Sequence, residues 1–445
     1  MIKFFSIIII VLLTVHMAKA YESVTPSLEI HIDLTRPETS EASVSILFRP
    51  GSENPFSFKQ VGMDEEFHIE DLAFYNEEKE KIDYEKHDNK YYLKWLTYKE
   101  LYIEYSVKPG GMGRHGRQGN ISKDFASFDG RIFILPDTEA IKTAAITFNI
   151  PSGWNVVTPC RKDGDTYSPD ALWKTPVCES LEKSFMAFGP FTGIKKTFGH
   201  TDVCVYTFST WTEEHKKEIT EKTFSLYEYF YKTFNFDPSY PYIVCWTPKS
   251  DDGKRVFTGL WSNGQCYEMP EDTVRNWEYF SHRLSHSLNR YEPTGMILKS
   301  IKDEWVIEGW AVYMEEKATV ATGTGEKGKK WKELYERYLK TMEAHPGWDH
   351  PLEREHEVKD NEAMEFFHYC KSPLVFKMLE TEMKKKTGKT MEEFMCYAYN
   401  KYGNFKGSFP FKEEFEHFTG ISFEEFWNRF VREKGCISPV WQEEL

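Results

Sequence analysis

Residues 273–290 read TVRNWEYFSHRLSHSLNR, and residues 305–315 read WVIEGWAVYME. The first stretch predicts a helix from Asp272 to Arg290. Val274, Trp277, Ser281, Leu284 and Leu288 recur at steps of three and four, which marks a core-facing stripe. His282 and His286 stand one turn apart and project side by side from an adjacent face. Two imidazoles so placed can meet a single tetrahedral zinc. The pair alone is a weak signal, because two core-edge histidines share the same spacing.

The second stretch starts an apolar helix with a carboxylate set among residues that favour burial. A buried carboxylate is costly unless it is paired or binds a metal. Glu308 therefore needs a partner, which the histidine pair would supply through zinc. The alternative is a glutamate near a helix N-terminus, satisfied by backbone amides. Gly309 beside it permits close helix packing. Glu315 falls two turns beyond Glu308 on the same face, either to orient a ligand histidine or as a solvated helix charge.

Outward from these segments the chain divides by texture. From about Tyr21 to Pro190 it shows short alternating runs, such as Leu28–Ile32, Ala42–Phe48 and Ala144–Ile150, broken by Gly, Pro, Asn and Asp. Period-two alternation of this kind predicts a mostly antiparallel β domain. After Pro190 come a strand near Val203–Phe208, a helix over Thr212–Thr233, strands over Tyr242–Trp246 and Val256–Tyr267, then helices to Lys434. The Gly- and Lys-rich loop from Thr322 to Lys330 reads as a solvated connector. The expected class is α+β: residues 21–190 as a β-rich domain and residues 191–445 as a mainly helical one.

Composition narrows the function classes. Among 445 residues the net charge is −14, which speaks against a nucleic-acid partner because phosphate binding needs a basic surface. Residues 1–20 read as a signal peptide: Lys3, an apolar run from Phe4 to Val15, then Ala18-Lys19-Ala20. Export is expected, and no later stretch is long and apolar enough to span a membrane. In an oxidising compartment the eight cysteines permit disulfides, with Cys160–Cys178 the favoured pair. Buried, unpaired cysteines are the alternative. Asn120-Ile121-Ser122 is a glycosylation sequon.

The order H-x-x-x-H, a gap, then E-G-W-A-V-Y-M-E resembles the gluzincin zinc metallopeptidases. The aminopeptidase N family and the glycyl aminopeptidase family are the most similar groups. From His286 to Glu308 is 22 positions (308 − 286), which suits the glycyl aminopeptidase group better. The segment Tyr369-Cys370-Lys371-Ser372-Pro373-Leu374-Val375 resembles the family's helix whose tyrosine bonds the oxyanion. Gly259, Leu260 and Trp261 lie where these enzymes carry a substrate-binding strand. The resemblance spans roughly Phe191 to Gly435. It implies a thermolysin-like domain, one zinc held by His282, His286 and Glu308, Glu315 behind them, and a peptide or protein ligand in the cleft.

One departure bears on activity. In active gluzincins the residue after the first histidine is the glutamate that accepts a proton from the attacking water; here it is Arg283. Arginine does not release its proton at working pH, so it cannot be this base. A guanidinium about 6 Å from a divalent ion is also repelled by on the order of 5 kcal/mol at an effective dielectric of about 20. Arg283 must swing out, weaken the metal site, or replace the metal by pairing with Glu308 or Glu304. Trp261 and Ser262 stand where aminopeptidases present a glutamate to the substrate's amine. The leading expectation is a secreted, catalytically impaired homologue that binds peptides. Its rivals are an active peptidase with Glu304 or Glu268 as substitute base, and a metal-free interaction protein.

Overall fold

The computed structural model describes residues 27–50, 57–62, 67–94, 98–113, 116–138, 141–169, 176–237, 241–249, 256–257, 264–268, 273–289, 304–402, 409–434 and 437. Residues 1–20, read above as a signal peptide, and Gly259, Leu260 and Trp261 lie outside the described residues. The chain forms two compact units. One comprises the described parts of Met1–Pro109, Gly130–Pro151 and Cys160–Glu182; the other comprises Gly110–Asp129, Ser152–Pro159 and Lys183–Leu445.

The first unit is built on an eight-stranded sheet. At its centre Leu28–Asp33 runs antiparallel to Ala42–Phe48 and parallel to Ala144–Asn149. The alternation predicted from sequence appears as burial: Leu28, Ile30 and Ile32, then Ala42, Val44, Ile46 and Phe48, all face inward. Period-two patterning sends alternate side chains to opposite faces, so one face of each strand supplies the core. A second sheet of four strands, with Ser57–Gln60 paired to Lys90–Leu93, belongs to the same unit. Cys160 and Cys178 stand in this unit as separate thiols, so the predicted disulfide is not formed. Both serve as small buried or half-buried hydrophobes, and burial pushes the Cys178 thiol up to about 12.

The second unit carries a mixed sheet. Phe191–Phe198 and Thr201–Phe208 form a hairpin, and Tyr242–Thr247 and Gly264–Glu268 follow in parallel. A helix from Glu213 to Phe234 packs on it, opened by Thr212, whose hydroxyl accepts from the His215 N–H. Trp246 joins the layers: its indole N–H donates to Thr223 Oγ1 at 3.0 Å, and its ring lies 5.0 Å from Trp277. Trp277 and Phe280, both fully buried, seat the histidine-bearing helix Thr273–Asn289 in the core. Asn120, in this unit, is only 3% exposed, so the folded chain offers no acceptor at the predicted sequon.

The glutamate-bearing helix Glu304–Ala321 is buried nearly all round, with Trp305, Val306, Trp310, Tyr313 and Met314 in the core. Such a helix must be covered on every side. One cover is the helix Ser372–Thr387, and Gly309 permits the approach: a Cβ there would fall 2.9 Å from the side chains of Phe376 and Ser372. Gly309→Ala is expected to destabilise the chain by about 1–3 kcal/mol through overpacking, which outweighs the ~1 kcal/mol that alanine gains over glycine in a helix. Chemical denaturation reads this as a lowered midpoint.

The helix before it, Asn361–Phe366, runs into a π-helical turn at Phe367–Lys371. Pro373 accounts for this turn. Proline has no N–H and its ring clashes with the carbonyl four residues back, that of Tyr369; widening the turn relieves the clash. Ser372 Oγ donates to the Phe367 carbonyl at 2.9 Å across it. Among the described residues no helix is long and apolar enough to cross a membrane.

Candidate metal centre

His282, His286 and Glu308 converge. Their ligand-type atoms lie within 4.8 Å of one another, and all three side chains are buried. Glu308 Oε2 is 3.4 Å from His282 Nε2 and 3.3 Å from His286 Nε2, and the two Nε2 atoms are 2.8 Å apart. Tetrahedral ligands at zinc distances of about 2.0–2.1 Å are spaced roughly 3.3 Å from each other. The two nitrogen–oxygen separations match this spacing, and the nitrogens need part by only about half an ångström. The donor set therefore fits a zinc ion.

The ring tautomer fits as well. His282 Nδ1 lies 2.8 Å from Glu315 Oε1, so Nδ1 donates to the carboxylate and Nε2 keeps its lone pair toward the cluster. Glu315 is held in turn: Lys330 Nζ reaches its other oxygen at 2.7 Å and Glu278 at 3.0 Å. Burial alone would push the Glu315 carboxyl up, but the Lys330 ammonium and the His282 ring outweigh it and hold the group below its ordinary range. Burial likewise opposes charge on Glu308, yet the two rings hold its carboxyl well below the usual value. Glu315→Ala removes the acceptor behind His282 and is expected to weaken zinc binding 10- to 100-fold. Competition against a calibrated chelator measures this.

Lys330 corrects the sequence reading of the 322–330 loop. Thr324 and Gly325 N–H both donate to the Thr319 carbonyl, Gly328 N–H donates to Glu316, and Lys330 is largely buried in its ion pairs. The segment is a connector with exposed residues at Gly323, Glu326, Lys327 and Lys329 that is tied down at Thr324, Gly325, Gly328 and Lys330. Lys330 and Glu278 are the site residues the sequence reading missed. A lysine in a Gly/Lys-rich stretch carries no signal of burial; only its ion pairs reveal it.

Arg283 is bonded to Tyr279. Its Nε donates to the Tyr279 hydroxyl at 2.8 Å, one helical turn back, and a second guanidinium nitrogen reaches the same oxygen. Glu308 Oε2 faces the two histidines. A phenol oxygen is a neutral acceptor; this bond orients the guanidinium without cancelling its charge. Tyr279 in turn lies parallel to His282, with ring centroids 6.3 Å apart. Tyr369, on the π-helical turn, places its ring 6.0 Å from that of His282 on another element. The side chains of Glu304 and Glu268, the substitute bases weighed from sequence, lie outside what is described.

No protein-family model and no curated protein sequence matches the chain. Solved structures do. An aminopeptidase N family protein from Idiomarina loihiensis aligns over 94% of this chain and 78% of its own, with a TM-score of 0.73 at 12% identity. The chain has the M1 zinc-metallopeptidase fold. An M1 zinc metallopeptidase variant from Deinococcus radiodurans, with the substrate Tyr-Ser-Ala bound, aligns over 93% and 94%, with a TM-score of 0.53 at 12% identity. Yeast LTA4 hydrolase in complex with bestatin aligns over 92% and 67%, with a TM-score of 0.50 at 15% identity. Identities this low establish the M1 fold and nothing about activity. Within that fold the α+β organisation expected from sequence holds: β sheets lead and a mainly helical unit carries the metal-type cluster.

Proposed function

We propose that the chain is a secreted, zinc-holding homologue of the M1 peptidases that binds a peptide or protein ligand and hydrolyses it poorly. One observation carries the reading. A residue that cannot accept a proton, Arg283, follows the first of three converged ligand residues and is bonded to Tyr279 beside them. His282, His286 and Glu308 would hold the ion, with Glu315 and Lys330 keeping His282 in its liganding tautomer. A zinc bound there would supply Lewis-acid polarisation of a peptide carbonyl. Tyr369 stands near enough to His282 to contribute a hydroxyl donor to the same carbonyl oxygen. Arg283 cannot accept the proton of an attacking water at the position of the family's base, and losing general-base help costs about 10²- to 10⁴-fold.

By the family resemblance, Trp261 and Ser262 stand in sequence where aminopeptidases carry the glutamate for a substrate's free amine, which favours a ligand that need not present an N-terminus. The test uses the mature chain beginning after the signal segment. Metal analysis should find one zinc per chain. Fluorescence anisotropy should show peptide binding, and hydrolysis should stay at the no-protein blank. Turnover abolished by a chelator would overturn the impaired reading. A chain that purifies without zinc and does not take it up would overturn the metal reading.

A further inference from the structure

The π-helical turn Phe367–Lys371 presents Tyr369, and the residues beside that tyrosine are engaged in holding the turn. Pro373 withholds the N–H that an α-helix would offer to the Tyr369 carbonyl. Bonds from outside the helix supply a second hold. His368 Nε2 lies 3.2 Å from Glu355 Oε2, and both side chains are almost fully buried. Lys371 Nζ, equally buried, donates to Asp349 Oδ1 and to the His350 carbonyl, each at 2.5 Å. Cys370 Sγ donates to the Leu334 carbonyl at 3.3 Å.

Asp349 and Glu355 belong to one segment. Two 3₁₀ turns, Pro346–Trp348 and Leu352–Glu357, shape it, and Leu352 anchors it in the core. It grips the π turn one residue before Tyr369 and two residues after. Two features mark this grip as positioning rather than stability. A buried ion pair contributes little over apolar side chains of the same volume, so apolar residues would hold the segment as well. A π turn, by contrast, is a rare local geometry whose register needs fixing at both ends, and directional bonds fix register where apolar contacts do not. What the fixed turn carries is Tyr369, whose ring lies 6.0 Å from that of His282.

We propose that Asp349 and Glu355 are positioning residues for the Tyr369 hydroxyl, locking the turn so that the phenol meets the carbonyl oxygen of a bound peptide. The inference rests on the peptide-binding reading given above. A hydroxyl used in this way must be held closely, because a misplacement of about 1 Å costs about 10²-fold.

Two measurements on the mature chain test this. In the first, 3-fluorotyrosine replaces Tyr369, and fluorine NMR reads its surroundings without ligand or metal. One narrow resonance is expected, and Asp349→Asn and Glu355→Gln should each shift or broaden it. The same label at Tyr279, on the histidine helix, should not respond. In the second, the zinc-loaded chain binds a labelled hexa-alanine peptide and its analogue with one amide replaced by a tetrahedral phosphinic group. Tyr369→Phe should weaken the analogue about 10²-fold and the parent peptide much less. Asp349→Asn and Glu355→Gln should each weaken the analogue about ten-fold, and adding either to Tyr369→Phe should weaken it no further. A resonance at 369 that ignores both changes, or moves only together with that at 279, overturns the proposal; so does an equal loss for both peptides. A chain that binds neither peptide would overturn the peptide-binding reading, and the fluorine result would then decide the proposal alone.

Discussion

Arg283→Glu is expected to raise chelator-sensitive peptide hydrolysis about 10²- to 10⁴-fold over the wild-type chain. The substitution acts on two terms at once. It places a proton-accepting carboxylate on the residue after His282, whose Nε2 faces the ligand cluster. It also removes a fixed positive charge on the residue next to His282, which would repel a divalent ion bound there. The backbone needs no adjustment, because the histidine helix is already seated by Trp277 and Phe280. Freed of its bond from Arg283, Tyr279 remains parallel to His282 as a wall of the site. Hydrolysis of a fluorogenic peptide series, with and without chelator, gives the answer. A variant that holds one zinc yet stays at the wild-type rate would show that the missing base is not what silences the chain.

His282→Ala is expected to take zinc content from one per chain to none in metal analysis after dialysis. Removing a ligand outright must exceed the 10- to 100-fold loss typical of a partner behind a ligand, so the expected fall in affinity is beyond 100-fold. The same ring sets a pH dependence. Burial disfavours its charge, but Glu308 and Glu315 outweigh burial and raise its pKa above the ordinary 6.5. Protons and metal compete for Nε2, so zinc occupancy should fall as pH drops through the raised value. For the metal-free chain the sign reverses. The protonated ring contributes stability that is fully present below about 6.5 and lost as pH rises through the folded-state value. Melting curves with and without zinc across pH 5–8 should therefore diverge as pH rises, and parallel curves would contradict the assignment.

How much of this could be read from residues alone follows from what is local. The spacing of His282 and His286 sets their common direction because an α-helix advances about 100° per residue. Trp305 to Met314 spells a helix covered on all sides, so Glu308 had to be buried and had to find a partner. Leu28–Asp33 and Ala42–Phe48 alternate because a pleated strand sends successive side chains to opposite faces. Pro373 forecasts a disturbed helix at Tyr369, although the sequence reading did not draw that consequence. Each is a rule about neighbours along the chain, and each emerges in the structure.

Sequence by itself thus determined the fold class, the two ligand-bearing helices and the absence of a base at position 283. Tertiary structure alone decided the rest: Glu315 as the acceptor behind His282, Lys330 as its counter-charge, and Tyr279 as the resting place of Arg283. It also kept Cys160 apart from Cys178 and buried Asn120. The reason is the range of the physics involved. Helix and strand periodicity act over a few residues, whereas an ion pair or a disulfide depends on distances of a few ångströms between groups dozens of positions apart. Only the packed core sets those distances.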